Sequence, residues 1–438
     1  MDFLKPAKAL PLLAKEQIQK LYPHWRLRMF LVAYIGYFTY YFGRSSFDVS
    51  KQYITSLSPD ELGLIGAGLG IAYGISKFLM GNISDRSNAK VFLAIGLFVT
   101  GFINLLLPSL LSLGVLVMFI AMFLNGWAQG MGWPACARIM THWFCANERG
   151  TKMGIWNTAH NVGAGCLAIV VVPIGLFLFS DNWHGLFYVA GALCIGVGIL
   201  VLIFGADTPQ SLGLPAIEVY KGYTTAEAHH EKEFSAKEIF FKYVLNNKWV
   251  WLIATANAFV YCARYGLGSW APYYLVHVKH LSTSDGLIAY AMFELPAIPG
   301  TIIIGWLTDR FFGSRRAPMS VICMFLFVCA LLVYWYSNTP VILWASLSAM
   351  GILIYGPVAL IGILALDLVP KKAGGTAAGF TGLFGYFLGT VGAQAVIGFI
   401  ATFLGWNAVF IFLLSACVIA IALLGICWNL GYNKVSTE

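Results

Sequence analysis

The sequence predicts an all-α membrane protein with twelve transmembrane helices in two six-helix, pseudo-symmetric halves. Three observations lead there. First, 59% of the 438 residues are hydrophobic and only 11% are charged, with a mean hydropathy of +0.77; soluble chains carry about 25% charged residues. Second, twelve segments reach the ~20 apolar residues that a spanning helix needs: 29–49, 62–83, 91–111, 113–140, 153–179, 185–205, 249–276, 285–307, 317–337, 340–367, 374–403 and 405–429. Third, landmarks in the first half return in the second at a nearly constant offset.

The offsets are specific. Tyr41-x-x-Arg44 returns as Tyr261-x-x-Arg264, 220 residues on. The loop residues Gly81, Asp85 and Arg86 return as Gly305, Asp309 and Arg310 at 224. Pro134 matches Pro357 at 223, and Gly150-Thr151 matches Gly375-Thr376 at 225. A shared register over six helices predicts parallel repeats related by an axis along the membrane normal.

Charge predicts orientation. With both termini in the cytoplasm, all but five of the 27 Lys and Arg residues fall on cytoplasmic segments. Lys51 and Lys279 lie outside, and Arg44, Lys77 and Arg264 lie within helices. This is the positive-inside bias, and it assigns the net charge of +8 to topology rather than to nucleic-acid binding. Nine scattered cysteines show no metal-ligand spacing. No cofactor is expected.

In chain order, residues 1–28 mix Leu10, Leu12, Leu13, Ile18, Leu21 and Tyr22 with lysines, the pattern of a cytoplasmic interfacial segment. Residues 29–205 form the first half. Its first exterior turn carries Asp48, Lys51, Asp60 and Glu61, and its second helix has Gly66, Gly70 and Gly74 on one close-packing face. Residues 206–248 are a hydrophilic linker ending in an interfacial helix, with Ser235-x-x-Glu238 as a capping box. Residues 249–429 form the second half and 430–438 a cytoplasmic tail.

The candidate site follows from the cost of charge. An arginine at membrane depth costs about 2.5–3.5 kcal/mol on the insertion scale, so Arg44 and Arg264 are expected to face a polar cavity. The guanidinium fork binds phosphate bidentately; a carboxylate or nucleotide would also suit two arginines. Only Glu294 lies deep enough to pair with them, while Asp367 lies near a helix end beside Lys371 and Lys372. Lys77 adds positive charge, or snorkels to the cytoplasmic surface. His160, one turn from Asn157, makes a polar stripe, and its titration range overlaps the second ionisation of a phosphomonoester. Tyr37, Tyr41, Tyr73, Tyr261, Tyr355 and Tyr386 offer hydroxyls. No phosphate loop, nucleophile elbow or metal-spaced histidines occur, so a secondary transporter is expected rather than an enzyme or an ATP-driven pump.

Four stretches carry a family resemblance: 126–134 (Gly-Trp-Ala-Gln-Gly-Met-Gly-Trp-Pro), 156–161 (Trp-Asn-Thr-Ala-His-Asn), 207–211 (Asp-Thr-Pro-Gln-Ser) and 374–386 (Gly-Gly-Thr-Ala-Ala-Gly-Phe-Thr-Gly-Leu-Phe-Gly-Tyr). With the paired Gly-x-x-x-Asp-Arg loops, the chain resembles the major facilitator superfamily and, within it, the organophosphate:inorganic phosphate antiporters. The resemblance implies the major facilitator fold, a bacterial inner-membrane location and a monomer. It implies exchange of cytoplasmic inorganic phosphate for an external organophosphate, first glycerol 3-phosphate, with hexose phosphate, phosphoglycerate or a membrane sensor of sugar phosphate as alternatives. It also implies phosphate binding by Arg44 and Arg264, help from Lys77 and His160, and pocket positions for Tyr37, Tyr41, Tyr73, Asn157, Tyr261, Tyr355 and Tyr386. Two positions depart from the family pattern: Ser45 stands where a lysine is usual and Ser269 where an aspartate is common. The expectation is that Ser45 and Ser269 replace an ion pair with a neutral contact, leaving Glu294 to find another partner.

Overall fold

A computed structural model describes residues 4–222, 238–313, 315–370 and 373–430, and among them every regular element is helical. In the order of the chain these are α1 (Lys15–Ser50), α2 (Pro59–Asp85), α3 (Ala89–Leu110), α4 (Val115–Gln129), α5 (Gly132–Trp143), α6 (Ala146–Asn157), α7 (Ala159–Cys166), α8 (Val172–Leu178) and α9 (His184–Phe204). After the short α10 (Ile217–Tyr220) come α11 (Lys248–His277), α12 (Thr283–Glu294), α13 (Ala297–Phe312), α14 (Arg316–Tyr336), α15 (Pro340–Asp367), α16 (Gly374–Phe384), α17 (Ile397–Phe403) and α18 (Trp406–Ile426). Wider π-helical turns occupy Leu167–Val171, Ile239–Leu245, Gly385–Thr390 and Gly392–Val396.

All twelve apolar segments fall on helices. Nine of the helical stretches among the described residues are long and apolar enough to cross a membrane by length and composition. The other three segments lie on α1, α2 and α11, of 36, 27 and 30 residues. The two pieces of α2, bent by 44°, also pass if they are taken as one span, while α1 and α11 carry Arg44 and Arg264 in their apolar runs. Side chains such as Phe177, Leu116 and Ile302 stand exposed on the outside, as lipid-facing residues do.

Packing groups the chain into two compact units: residues 1–46 with 75–232, and residues 47–74 with 233–438. The division follows contact rather than chain order, so the end of α1 and the first half of α2 pack with the later helices. Ser235, Lys371, Lys372 and residues 431–438 lie outside the described residues.

In the first unit the helices meet through small and amide side chains. A Cβ on Gly43 would come 2.2 Å from Thr100, and the freed space lets Asn104 and Asn125 donate to the Gly43 carbonyl at 3.1 and 2.9 Å. Gln129 donates to the Tyr40 carbonyl at 3.2 Å. Such bonds hold helices where lipid offers no hydrophobic driving force. The N-terminal segment is continuous with the first span, because α1 begins at Lys15 and runs through Pro23. Ahead of it, Ala7, Leu10 and Leu13 donate their amides to Asp207, Gln210 and Gly213 at 2.9 Å each.

In the second unit, glycines again set the closest approaches. A Cβ on Gly351 would lie 2.0 Å from the Phe293 carbonyl. The expected glycine face of α2 lies against other helices, Gly66 facing Gln394, Gly70 Thr390 and Gly74 Tyr386, and Gly63, not part of the expected set, adds a further close contact with Gln394. Helix starts use ordinary caps: Asn247 accepts from Trp249 and Val250 to begin α11, and Ser282 with Asp285 forms a capping box for α12.

Candidate functional site

The predicted residues divide between the two units. In the first, Arg44 is 5% exposed, and its guanidinium lies 5.5 Å from the centre of the Tyr41 ring. Tyr41 meets the His160 ring at 5.5 Å and Tyr37 at 5.7 Å, edge-on. The helical spacing of 37, 41 and 44 stacks these side chains on one face. His160 is half-buried, its Nδ1 against the Asn157 carbonyl one turn back. Tyr41 therefore links the first arginine to the histidine.

Two tryptophans that the sequence reading left unassigned extend this surface. Trp156 lies 4.7 Å from Tyr37 and donates to the Ala33 carbonyl at 3.1 Å. Trp133 meets Trp156 edge-on at 6.4 Å, and the Lys77 ammonium sits 5.3 Å from the Trp133 ring. The aromatic row runs from Arg44 to Lys77 and gives both cations a π face, which favours a desolvated positive charge. Ser45, beside Arg44, is buried.

The second unit holds a more connected constellation. Arg264, 6% exposed, donates from Nη2 to the Tyr355 hydroxyl at 2.9 Å. That hydroxyl donates in turn to Glu294 Oε2 at 2.6 Å. The partner expected for Glu294 is thus an arginine, reached through a tyrosine. The guanidinium also lies over Tyr355 at 4.3 Å, Tyr265 at 4.8 Å and Tyr261 at 5.7 Å. Tyr386 meets Tyr73 at 4.5 Å and Tyr261 at 5.2 Å. Of this group Tyr265 was not foreseen, although it directly follows the second arginine.

Ser269 is fully buried and accepts a hydrogen bond from Gln394 Nε2 at 2.8 Å. Gln394 had no expected role.

The two loop motifs are held by arginines from elsewhere in their own units. Arg138 donates to the carbonyls of Ser84 and Asp85 and lies 3.6 Å from the buried Asp207 carboxylate. In the second unit Arg316 bonds Asp309 at 2.8 Å and approaches Asp367 at 3.9 Å. Arg310 lies in the last turn of α13, which ends at the left-handed Gly313 (φ +54°). Neither Gly81 nor Gly305 has a neighbour that an added Cβ would meet within 4 Å. Among the described residues no group of His, Cys, Asp and Glu is placed to hold a metal ion.

Chemically, each unit offers a buried guanidinium on an aromatic floor, suited to a small, strongly anionic solute. The family model for the Major Facilitator Superfamily matches residues 33–393. A glycerol-3-phosphate transporter of Bacillus subtilis is 46% identical over 98% of both chains. Another of the same name, from Haemophilus influenzae, is 42% identical over 95% of this chain and 94% of its own. Among solved structures, a bacterial homologue of the human lysosomal transporter Spinster superposes with a TM-score of 0.73 at 17% identity, covering 92% of this chain and 97% of that one; it supports the fold alone.

Proposed function

The chain belongs to the major facilitator superfamily and is a multi-pass membrane protein, and from that premise we propose that it exchanges cytoplasmic inorganic phosphate for an external organophosphate, glycerol 3-phosphate first. The observation that carries this reading is a buried arginine in each unit at repeat-related positions, with Arg264 held by Tyr355. The names of the two relatives support the organophosphate. The bacterial relatives and the charge pattern support an inner-membrane location with both termini cytoplasmic.

In this reading Arg44 and Arg264 engage one phosphate group, a pairing that rests on the sequence repeat. Lys77 raises the local positive potential, and His160, beside Tyr41, follows the phosphate's protonation. Tyr37, Tyr73, Asn157, Tyr261 and Tyr386 shape the cavity for the rest of the solute. A bound anion shifts an equilibrium between inward- and outward-open states only through differential contacts. Contacts that only a bound anion makes with both arginines favour loaded over empty return, and so favour exchange. The halves 29–205 and 249–429 rock about the linker 206–248, with the loops at Asp85 and Asp309 securing the cytoplasmic side. The protein acts as a monomer.

The test is purified protein in phosphate-loaded liposomes, presented with radiolabelled phosphate, glycerol 3-phosphate, hexose phosphates and phosphoglycerate. Exchange is expected with glycerol 3-phosphate at the lowest half-saturation, and Arg44→Ala or Arg264→Ala should abolish it while leaving the protein in the membrane. Binding without counterflow would identify a sensor instead. Uptake that ignores internal phosphate would refute antiport.

A further inference from the structure

Arg28 stands half-buried on the part of α1 that the charge pattern assigns to the cytoplasmic side. Its guanidinium lies 4.5 Å from the centre of the Trp25 ring, one turn back on α1, and 4.9 Å from that of Phe204 at the end of α9. Two rings hold the charge, yet among the described residues no hydrogen bond or ion pair reaches it, and its Nε is buried without a partner. Nearby cations differ. Arg26 donates to the Trp143 carbonyl at 3.3 Å and pairs with Glu148. Lys90, beside the same end of α9, donates to the Leu202 carbonyl at 3.4 Å. Arg28 keeps its N–H donors unspent.

The surroundings indicate which acceptor fits. From this point α1 and α9 run side by side: the Ala206 amide lies 3.1 Å from Met29 Sδ, and the Cys194 thiol meets the Thr39 carbonyl at 3.4 Å. Beyond Arg28, α1 exposes Leu31 and Ile35, at spacings that keep them on the arginine's face of the helix. On α9, Leu200 is exposed one turn before Phe204, and a Cβ added to Gly196, a further turn along, would meet nothing within 4 Å. Two aliphatic rows thus lead from the guanidinium in the direction that the span takes into hydrocarbon. A free anion makes no use of such rows, whereas a phospholipid joins a phosphate to acyl chains. Guanidinium binds phosphate oxygens through paired, charge-assisted hydrogen bonds, and basic pockets between helices on the cytoplasmic side suit anionic headgroups. A snorkelling arginine reaches for water with a mobile side chain; this one is pinned between two rings with its Nε shut off from solvent.

We propose that Arg28, clamped by Trp25 and Phe204, binds the phosphate of an anionic phospholipid of the cytoplasmic leaflet, whose acyl chains lie along the exposed rows of α1 and α9. The site is on the first unit, sixteen residues or about 24 Å of helix from Arg44, so its test does not depend on the solute carried. Purified full-length protein in detergent is titrated with phosphatidylglycerol or phosphatidylcholine, and bound lipid is read by native mass spectrometry.

The parent should hold its first phosphatidylglycerol about fivefold more tightly than phosphatidylcholine. Arg28→Gln should weaken phosphatidylglycerol about fivefold, equivalent to about 1 kcal/mol. Phe204→Leu keeps apolar bulk but removes one π face, and should weaken it about threefold. Lys248→Gln, which removes an exposed lysine beside Trp249 at the start of α11, should change it less than about twofold. Unfolding temperature checks that each variant is folded; should Arg28→Gln fail, Arg28→Lys, which loses the fork, is read in its place with a loss of about threefold. Equal affinity for the two lipids, arginine variants within twofold of the parent, or the same loss in Lys248→Gln would overturn the lipid site. Displacement of phosphatidylglycerol by millimolar inorganic phosphate would overturn it too, in favour of a site for any small anion.

Discussion

Replacing Tyr355 by phenylalanine isolates one oxygen atom of the candidate site. The hydroxyl receives Arg264 at 2.9 Å and bonds Glu294 at 2.6 Å, while the ring supplies the cation–π face at 4.3 Å. Phenylalanine keeps the ring, the burial and the volume. Hydrogen bonds to charged groups are worth about 1.5–3 kcal/mol each. Their loss leaves Arg264 free to fall onto the Glu294 carboxylate, an ion pair that competes directly with phosphate. About 2 kcal/mol of lost anion affinity corresponds to a ~30-fold rise in half-saturation. Phosphate and glycerol 3-phosphate exchange in liposomes reads this change, with membrane yield and thermal unfolding in detergent as controls for folding. Half-saturation within threefold of the parent, in well-folded protein, would refute the view that Tyr355 holds the guanidinium for its ligand.

Further outcomes follow from the same geometry. Arg44→Lys and Arg264→Lys keep the charge but lose the planar fork, and each should reduce liposome exchange at least tenfold; near-parental exchange would refute bidentate binding. Gly351→Ala drives a methyl group into the Phe293 carbonyl 2.0 Å away and should destabilise the protein by about 1–3 kcal/mol, read as a lower unfolding temperature in detergent. Asp207→Ala removes the buried partner of Arg138 and the acceptor for the amides of Ala7 and Ala89. Breaking a buried pair costs about 3–5 kcal/mol, so membrane yield and thermal stability should fall together.

Much of this was legible in the residues alone. The burial of Arg44 and Arg264 was legible because charge in an apolar run is costly, and the repeat is what proposes them as a pair. The tyrosines at 261, 355 and 386 stood out as hydroxyls among aliphatic neighbours. The Arg264–Tyr355–Glu294 relay was not legible, since it joins three helices and helical periodicity carries no information about which faces meet. The burial of Lys51 was not legible for a related reason. It follows the apolar segment and reads as an exterior-loop lysine, yet Gln394, 343 residues later, comes within hydrogen-bond reach and buries it. Ser269 likewise bonds Gln394, a residue with no sequence signal beyond one amide in an apolar stretch. The grouping of 47–74 with the second unit depends on glycine faces meeting across helices, which the spacing of Gly66, Gly70 and Gly74 announced without naming the partner.

The extended residues ahead of α1 have a practical consequence. Backbone amides of Ala7, Leu10 and Leu13 satisfy oxygens of Asp207, Gln210 and Gly213, so residues 7–13 act as an added strap beneath the turn after α9. A recombinant version trimmed to start at Lys15 would leave those three acceptors to water and loosen the entry to the linker. Alterations within residues 7–13 should therefore be avoided in engineered versions.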